Sequence, residues 1–304
     1  MSAPEIHPDF ARLARFAAGG LDEAGIAKGR RPEGLTTLRV RHRGTSLEKV
    51  AAPVPMRVIR PKGANGQLPA LLLVHGGGYV FGRARMDDRL ASRFALELGI
   101  AVVSVDYRLA PENPYPAGLE DAHTGLAWLA SQPWVDASRI AVGGASAGGG
   151  LAASLAQHAH DRGEVDVAFQ LLVYPMLDDR TPDREDIAVG DYRIWNTQAD
   201  RTGWSAYLGQ PSGTEAVPVE AVPARRADLR GLPAAWIGVG TADLFHDECL
   251  DYARRLAEAG VDVELTVEAG AIHGFERFAP RKDASRRFSA RQVEALRRGL
   301  RLQG

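Results

Sequence analysis

Hydrophobic residues in this chain gather into short, nearly unbroken runs, separated by longer stretches where apolar positions recur at helical spacing. Leu71 to Val74, Ile100 to Val105, Ile140 to Gly143, Phe169 to Tyr174, Ala235 to Val239 and Val263 to Val267 form the runs. Such runs, rich in Val, Leu and Ile and without polar alternation, predict strands buried on both faces, the habit of a parallel sheet. Between most of them, Arg89 to Leu98, Leu119 to Ala130, Leu151 to Arg162 and Asp247 to Ala259 predict helices, the last closed by Gly260. Alternating strands and helices imply a wound, mostly parallel α/β sheet flanked by helices. Val54 to Ile59 adds an earlier strand, stopped by Pro61 and the turn Lys62-Gly63-Ala64-Asn65-Gly66.

Two regions break this rhythm. Residues 1 to about 45 are charged and read as helical, with Phe10, Leu13, Ala14 and Ala17 as a modest apolar stripe. Residues 176 to 232 separate two strands by far more chain than a crossover needs. That insertion carries Tyr192, Trp195, Trp204 and Tyr207, more large aromatics than a solvated loop requires. Both regions together predict a helical cap over one domain spanning residues 1–304. At the C-terminus, Phe288, Val293, Leu296 and Leu300 predict an amphipathic helix with a solvated basic face.

With 304 residues, 45% of them hydrophobic, the chain can bury a sizeable core, and its net charge of -1 leaves no footprint for nucleic acid or an anionic membrane. Cys249 is the single cysteine, which excludes an intrachain disulfide and favours a reducing compartment. No signal-like apolar core and no bilayer-length stretch is present, so the expectation is a cytoplasmic protein.

The chemistry centres on Gly144-Ala145-Ser146-Ala147-Gly148, where the apolar run from Ile140 ends and an alanine-rich helix follows. A serine on such a sharp strand-to-helix turn projects its hydroxyl above the sheet as a nucleophile, and the Ala147 amide at the helix start points to a forming oxyanion. In a chain with 33 glycines the motif alone is weak. Its context strengthens it: His75-Gly76-Gly77-Gly78-Tyr79 directly follows the strand Leu71 to Val74, and bare glycine amides converge readily on one point, so Gly77 and Gly78 complete a candidate oxyanion hole.

A serine hydroxyl needs a base and an acid to orient that base. His273 is the one histidine beyond the last predicted strand, and Asp243 lies just past the strand Ala235 to Val239. Asp247 is the rival acid, placed where a helix N-terminus uses an acidic cap. His158 and His160 are two apart and point away from one another on a helix, which disfavours a shared metal ion. No Walker-type lysine follows the glycines and no dinucleotide fingerprint opens the chain.

On these motifs, together with Asp106-Tyr107-Arg108-Leu109-Ala110-Pro111-Glu112, Asp243-Leu244-Phe245-His246-Asp247-Glu248 and His273-Gly274-Phe275, the chain from about residue 53 onward resembles the hormone-sensitive-lipase-like, bacterial family IV esterases of the α/β-hydrolase fold. The resemblance implies a serine carboxylesterase for short- to medium-chain acyl esters, working through an acyl-enzyme without metal or cofactor. Ser146 is then the nucleophile, His273 the base and Asp243 its orienting acid, while His75 serves loop architecture. Ala145 departs from the family, which usually has Asp or Thr there. An amidase or deacetylase on the same triad is an alternative. A small-molecule binding protein, as in relatives lacking the catalytic histidine, is disfavoured by His273. A homodimer through an edge strand or the C-terminal helix is compatible with the sequence.

Overall fold

A computed structural model describes residues 5–16, 43–187 and 192–303. Its centre is an eight-stranded sheet: β1 (Thr45–Val50), β2 (Met56–Pro61), β3 (Leu68–Val74), β4 (Ala101–Val105), β5 (Val135–Ala145), β6 (Phe169–Val173), β7 (Ala234–Ala242) and β8 (Val263–Ile272). Spatial order is β1-β2-β4-β3-β5-β6-β7-β8. β2 pairs antiparallel with both β1 and β4, and every later pairing is parallel. Each apolar run of the sequence lies in one of the parallel strands. β4 and β6 are buried at every position, because helices cover both faces of the sheet there.

The helices are α1 (Pro8–Phe16), α2 (Asp88–Leu98), α3 (Ala117–Ala130), α4 (Ala147–Arg162), α5 (Thr197–Leu208), α6 (His246–Glu258), the single turn α7 (Phe275–Phe278) and α8 (Asp283–Gly299). α3 and α4 pack on one face, and α2 and α8 lie on the other beside β2, β4, β6 and β7. Phe288 and Leu296 of α8 are fully buried, and such side chains each contribute about 1.5–3 kcal/mol. The basic face of α8 is less free than the sequence implies: Arg298 pairs with Glu264, Arg287 with Glu268 and Arg286 with Asp283.

Two expectations change. The helical reading of residues 1 to about 45 fails at its end, where Thr45–Val50 forms the edge strand β1, whose mostly polar residues hid it in the sequence. Within the rest of the expected N-terminal helical region, Pro8–Phe16 is α1, residues 5–7 are not helical, and residues 1–4 and 17–42 lie outside the described residues. The helix after Ser146 starts at Ala147 and takes in Gly148, Gly149 and Gly150, where intrinsic propensity puts its start at Leu151. Close packing overrides propensity: a Cβ on Gly148 would sit 2.2 Å from the Val74 carbonyl oxygen of β3.

The stretch after β6 carries α5 and several 3-10 turns, with residues 188–191 outside the described set. Its aromatics are core: Trp204 and Tyr207 are buried, and Tyr207 stacks on Tyr79 at 4.1 Å. Such pairs add about 0.5–1.5 kcal/mol beyond burial. Asp179, fully buried, takes a two-pronged ion pair from Arg225, at 2.7 and 2.9 Å, which ties the start of this stretch to its end.

Candidate active site

The site lies at the carboxyl ends of β3, β5, β7 and β8. Ser146 sits between β5 and α4 with φ 59° and ψ -128°, a backbone conformation that L-residues adopt only under constraint. Its amide donates to Val173 O (2.9 Å), and its carbonyl accepts from Met176 N (3.1 Å) and Gly150 N (3.0 Å). These three bonds hold the turn. Asp243 follows β7 and His273 follows β8, adjacent parallel strands, so the topology alone brings their side chains together.

Ser146 Oγ lies 2.9 Å from His273 Nε2, and His273 Nδ1 lies 2.9 Å from Asp243 Oδ2. The other oxygen, Asp243 Oδ1, accepts from Phe245 N at 3.0 Å, which fixes the rotation of the carboxylate. The imidazole is clamped by rings on two sides: Tyr174 at 4.7 Å and Phe245 at 5.2 Å, both edge-on. The rival acid points elsewhere. Asp247 lies in the first turn of α6, not at its cap, and bonds His246 (2.7 Å) and Arg184 (2.9 Å).

Gly77 and Gly78 border the same pocket as Ser146, and their amides donate to no protein acceptor among the described residues. Gly78 has φ +57°, and a Cβ there would stand 2.1 Å from the Trp195 ring. Trp195 is itself anchored, donating from Nε1 to Asp200 Oδ1 at 3.0 Å. His75 is buried, stacks on Tyr107 at 4.3 Å, and lies 3.0 Å through Nδ1 from Gly76 O. Burial lowers its pKa, keeping the ring neutral in a structural place within the loop. Cys249 is buried on α6 with its thiol against Pro175 O (3.6 Å), and burial pushes that thiol up, as for an inert packing residue.

Motif reading did not identify the pocket walls. Phe81, Met86, Ile194, Trp195 and Phe278 enclose a cavity of about 320 Å³ beside Ser146. Nor did it identify Tyr174, whose hydroxyl donates to Glu276 Oε1 at 2.6 Å while its ring packs on His273. The available signal was position: Tyr174 is the first residue after β6. His158 and His160 do not converge; His158 meets the His123 ring and His160 packs by Gly231. Among the described residues, no group of three or more His, Cys, Asp or Glu is placed to hold a metal ion.

A family model described as the alpha/beta hydrolase fold matches residues 71–277, the segment running from β3 into α7. The chain belongs to this α/β-hydrolase family. Carboxylesterase NlhH of Mycobacterium tuberculosis is 38% identical to this α/β-hydrolase over 280 residues, covering 88% of this chain and 85% of the relative. Ethyl acetate hydrolase of Pseudomonas putida is 32% identical over 314 residues, covering 99% of this chain and 91% of that one. Among solved structures, a bacterial heroin esterase superposes with a TM-score of 0.90 at 35% identity, covering 99% of each chain. The α/β-hydrolase is therefore matched by esterases over its whole length, and among its described residues no helix is long and apolar enough to cross a membrane.

Proposed function

We propose that this protein is a serine carboxylesterase in which Ser146, His273 and Asp243 form the catalytic triad and the amides of Gly77, Gly78 and Ala147 form the oxyanion hole. The observation that carries the proposal is the unbroken line from Ser146 Oγ through the imidazole to Asp243, with 2.9 Å at both links. With the proton on Nδ1 and donated to Asp243, Nε2 is free to take the serine proton as Oγ attacks the ester carbonyl carbon. The carbonyl oxygen becomes an oxyanion facing the three amides. Collapse breaks the bond to the alcohol, which leaves with the proton returned by Nε2, and an acyl-serine remains. Water, deprotonated by Nε2, then attacks the acyl carbon; the bond from that carbon to Ser146 Oγ breaks, Nε2 returns the proton to Oγ, and the acid is released.

Substrates are short- to medium-chain acyl esters. A pocket of about 320 Å³ with aromatic and aliphatic walls supports that range, since it lies at the low end of small-molecule sites. The stretch of residues 176–232, with the N-terminal region, acts as the cap, which Trp195 and Ile194 on the pocket wall support. We read the enzyme as cytoplasmic on its single buried cysteine, and as a homodimer through β8 on the exposure of Leu265 and Val267.

The test is hydrolysis of p-nitrophenyl esters from acetate to palmitate by wild type and Ser146→Ala. A peak at short to medium chains that vanishes in the variant is expected. Full activity in the variant, or a folded wild type that turns over amides and no ester, would refute the reading.

A further inference from the structure

Beside Ser146, His273 and Asp243 stand two side chains that the reaction as written does not use. Tyr174 follows β6, and Glu276 lies in α7 just after β8, so the pair reaches across β7, whose end carries Asp243. The Tyr174 hydroxyl donates to Glu276 Oε1 at 2.6 Å, and the Tyr174 ring meets the His273 imidazole with centroids 4.7 Å apart. The imidazole therefore leans on a ring whose far end is held by a carboxylate.

The pair is unfavourable by itself. Tyr174 has φ +33°, a left-handed backbone conformation that a residue with a Cβ resists, and its amide is fixed to Gly238 O at 2.6 Å. Glu276 Oε2 is buried with no hydrogen-bond partner among the described residues, an arrangement that opposes folding. Burial raises the Glu276 pKa, while the Tyr174 hydrogen bond, the residue's own amide, Arg277 and an imidazolium at His273 pull it back down. Arg277 is in turn paired with Asp87 (2.7 Å). Phenylalanine and leucine would occupy the same two places without an unmatched buried acid. Backbone strain and such an acid, found together on the ring that touches His273, mark an arrangement kept for function.

His273 needs that support. As Ser146 Oγ moves onto an ester carbon, its hydrogen bond to Nε2 is given up, and the imidazole keeps its bond to Asp243 at Nδ1. A ring tied at one end can pivot, and a small misdirection of Nε2 slows each proton transfer. Phe245 blocks one side at 5.2 Å and Tyr174 another, but Tyr174 does so only while its own ring is held. Tyr174 stands with Met86, Ala145 and Arg277 in the wall between the catalytic pocket and a second cavity of about 640 Å³. That cavity gives the ring room to swing away once its hydroxyl is released. We propose that Glu276 is a positioning residue for His273: by accepting the Tyr174 hydroxyl it holds the ring that keeps Nε2 aimed at Ser146. The effect of this tie on turnover rests on the esterase reading, whereas its hold on the imidazole does not.

The experiment compares wild type with Tyr174→Phe, Glu276→Leu, Glu276→Gln and the double variant of the first two. It reads kcat and KM on p-nitrophenyl butyrate, Tm, and the Nδ1 proton of His273 by NMR, assigned by its absence from His273→Gln. Tyr174→Phe and Glu276→Leu should each lower kcat about ten-fold with KM within about two-fold, and their Nδ1 proton should broaden by exchange. Glu276→Gln still offers Oε1 to the Tyr174 hydroxyl and should recover most of kcat and the sharp proton. The double variant should lose no more than the worse single one, because the two side chains act as a unit. Tyr174→Phe keeps the ring, so it tests the tie even where Glu276→Leu lowers Tm. A wild type without ester turnover would count against the esterase reading, and the Nδ1 proton alone would then decide this one. Wild-type kcat in both single variants, a loss carried by KM, no recovery in Glu276→Gln, additive losses, or an equally sharp Nδ1 proton throughout would overturn the proposal.

Discussion

Replacing Asp243 by Asn keeps the side-chain shape and removes one charge, yet the surroundings dictate a severe result. Asp243 Oδ1 accepts the Phe245 amide proton at 3.0 Å, and Oδ2 faces His273 Nδ1 at 2.9 Å. In the Asp243→Asn variant the single carbonyl oxygen must serve the Phe245 donor, because turning the amide round would set two N–H groups against each other. The NH2 group then faces Nδ1. The imidazole answers by carrying its proton on Nε2, where it meets the Ser146 hydroxyl and can accept nothing. A triad in the wrong tautomer loses about 10⁴ in kcat, equivalent to roughly 5.4 kcal/mol of transition-state stabilisation. The assay is kcat and KM on p-nitrophenyl butyrate, with Asp247→Asn alongside. Asp247 is exposed and bonds only partly exposed partners, so its variant should stay within about two-fold of wild type. Wild-type-like turnover in Asp243→Asn, or a collapse in Asp247→Asn, would refute the reasoning.

Two further outcomes follow from the same contacts. Gly78→Ala should lower kcat by about 10²–10³ with little change in the folded fraction. Its Cβ would collide with the anchored Trp195 ring at 2.1 Å, and relief must come from the loop that presents the oxyanion amides; turnover within about three-fold of wild type would exclude Gly78 from the hole. Asp200 is fully buried, with Oδ1 accepting from Trp195 and Oδ2 unpaired, and burial raises its pKa. Its folded pKa lies above the unfolded one. The unfolded chain therefore releases the proton first, and stability falls as pH climbs above the ordinary carboxylate range toward the folded value. Asp200→Asn keeps the Trp195 bond and should flatten the fall of Tm with rising pH; an unchanged Tm profile would show that Asp200 does not titrate on unfolding.

Much of this protein was legible before any coordinates. The runs from Leu71, Ile100, Ile140, Phe169, Ala235 and Val263 became parallel strands, because a strand buried on both faces has no polar side to obscure it. Ser146, Asp243 and His273 stood out because each follows a strand, and in a parallel sheet the carboxyl ends of all strands meet at one edge. Sequence order thus became spatial proximity.

What the sequence could not give is whatever depends on partners distant along the chain. β1 exists because β2 supplies its ladder, and its own residues alternate too weakly to announce it. The triple glycine enters α4 because the Val74 and Met176 carbonyls leave no room for side chains at Gly148 and Gly150, a constraint from segments outside the helix. The partnership of Tyr174, Glu276 and His273, and the two cavities that share a wall, arise where the ends of β6 and β8 meet α2 and α8. Local periodicity determined which elements form and where their chemistry sits; packing between remote segments decided how the imidazole is clamped and what space is left beside it.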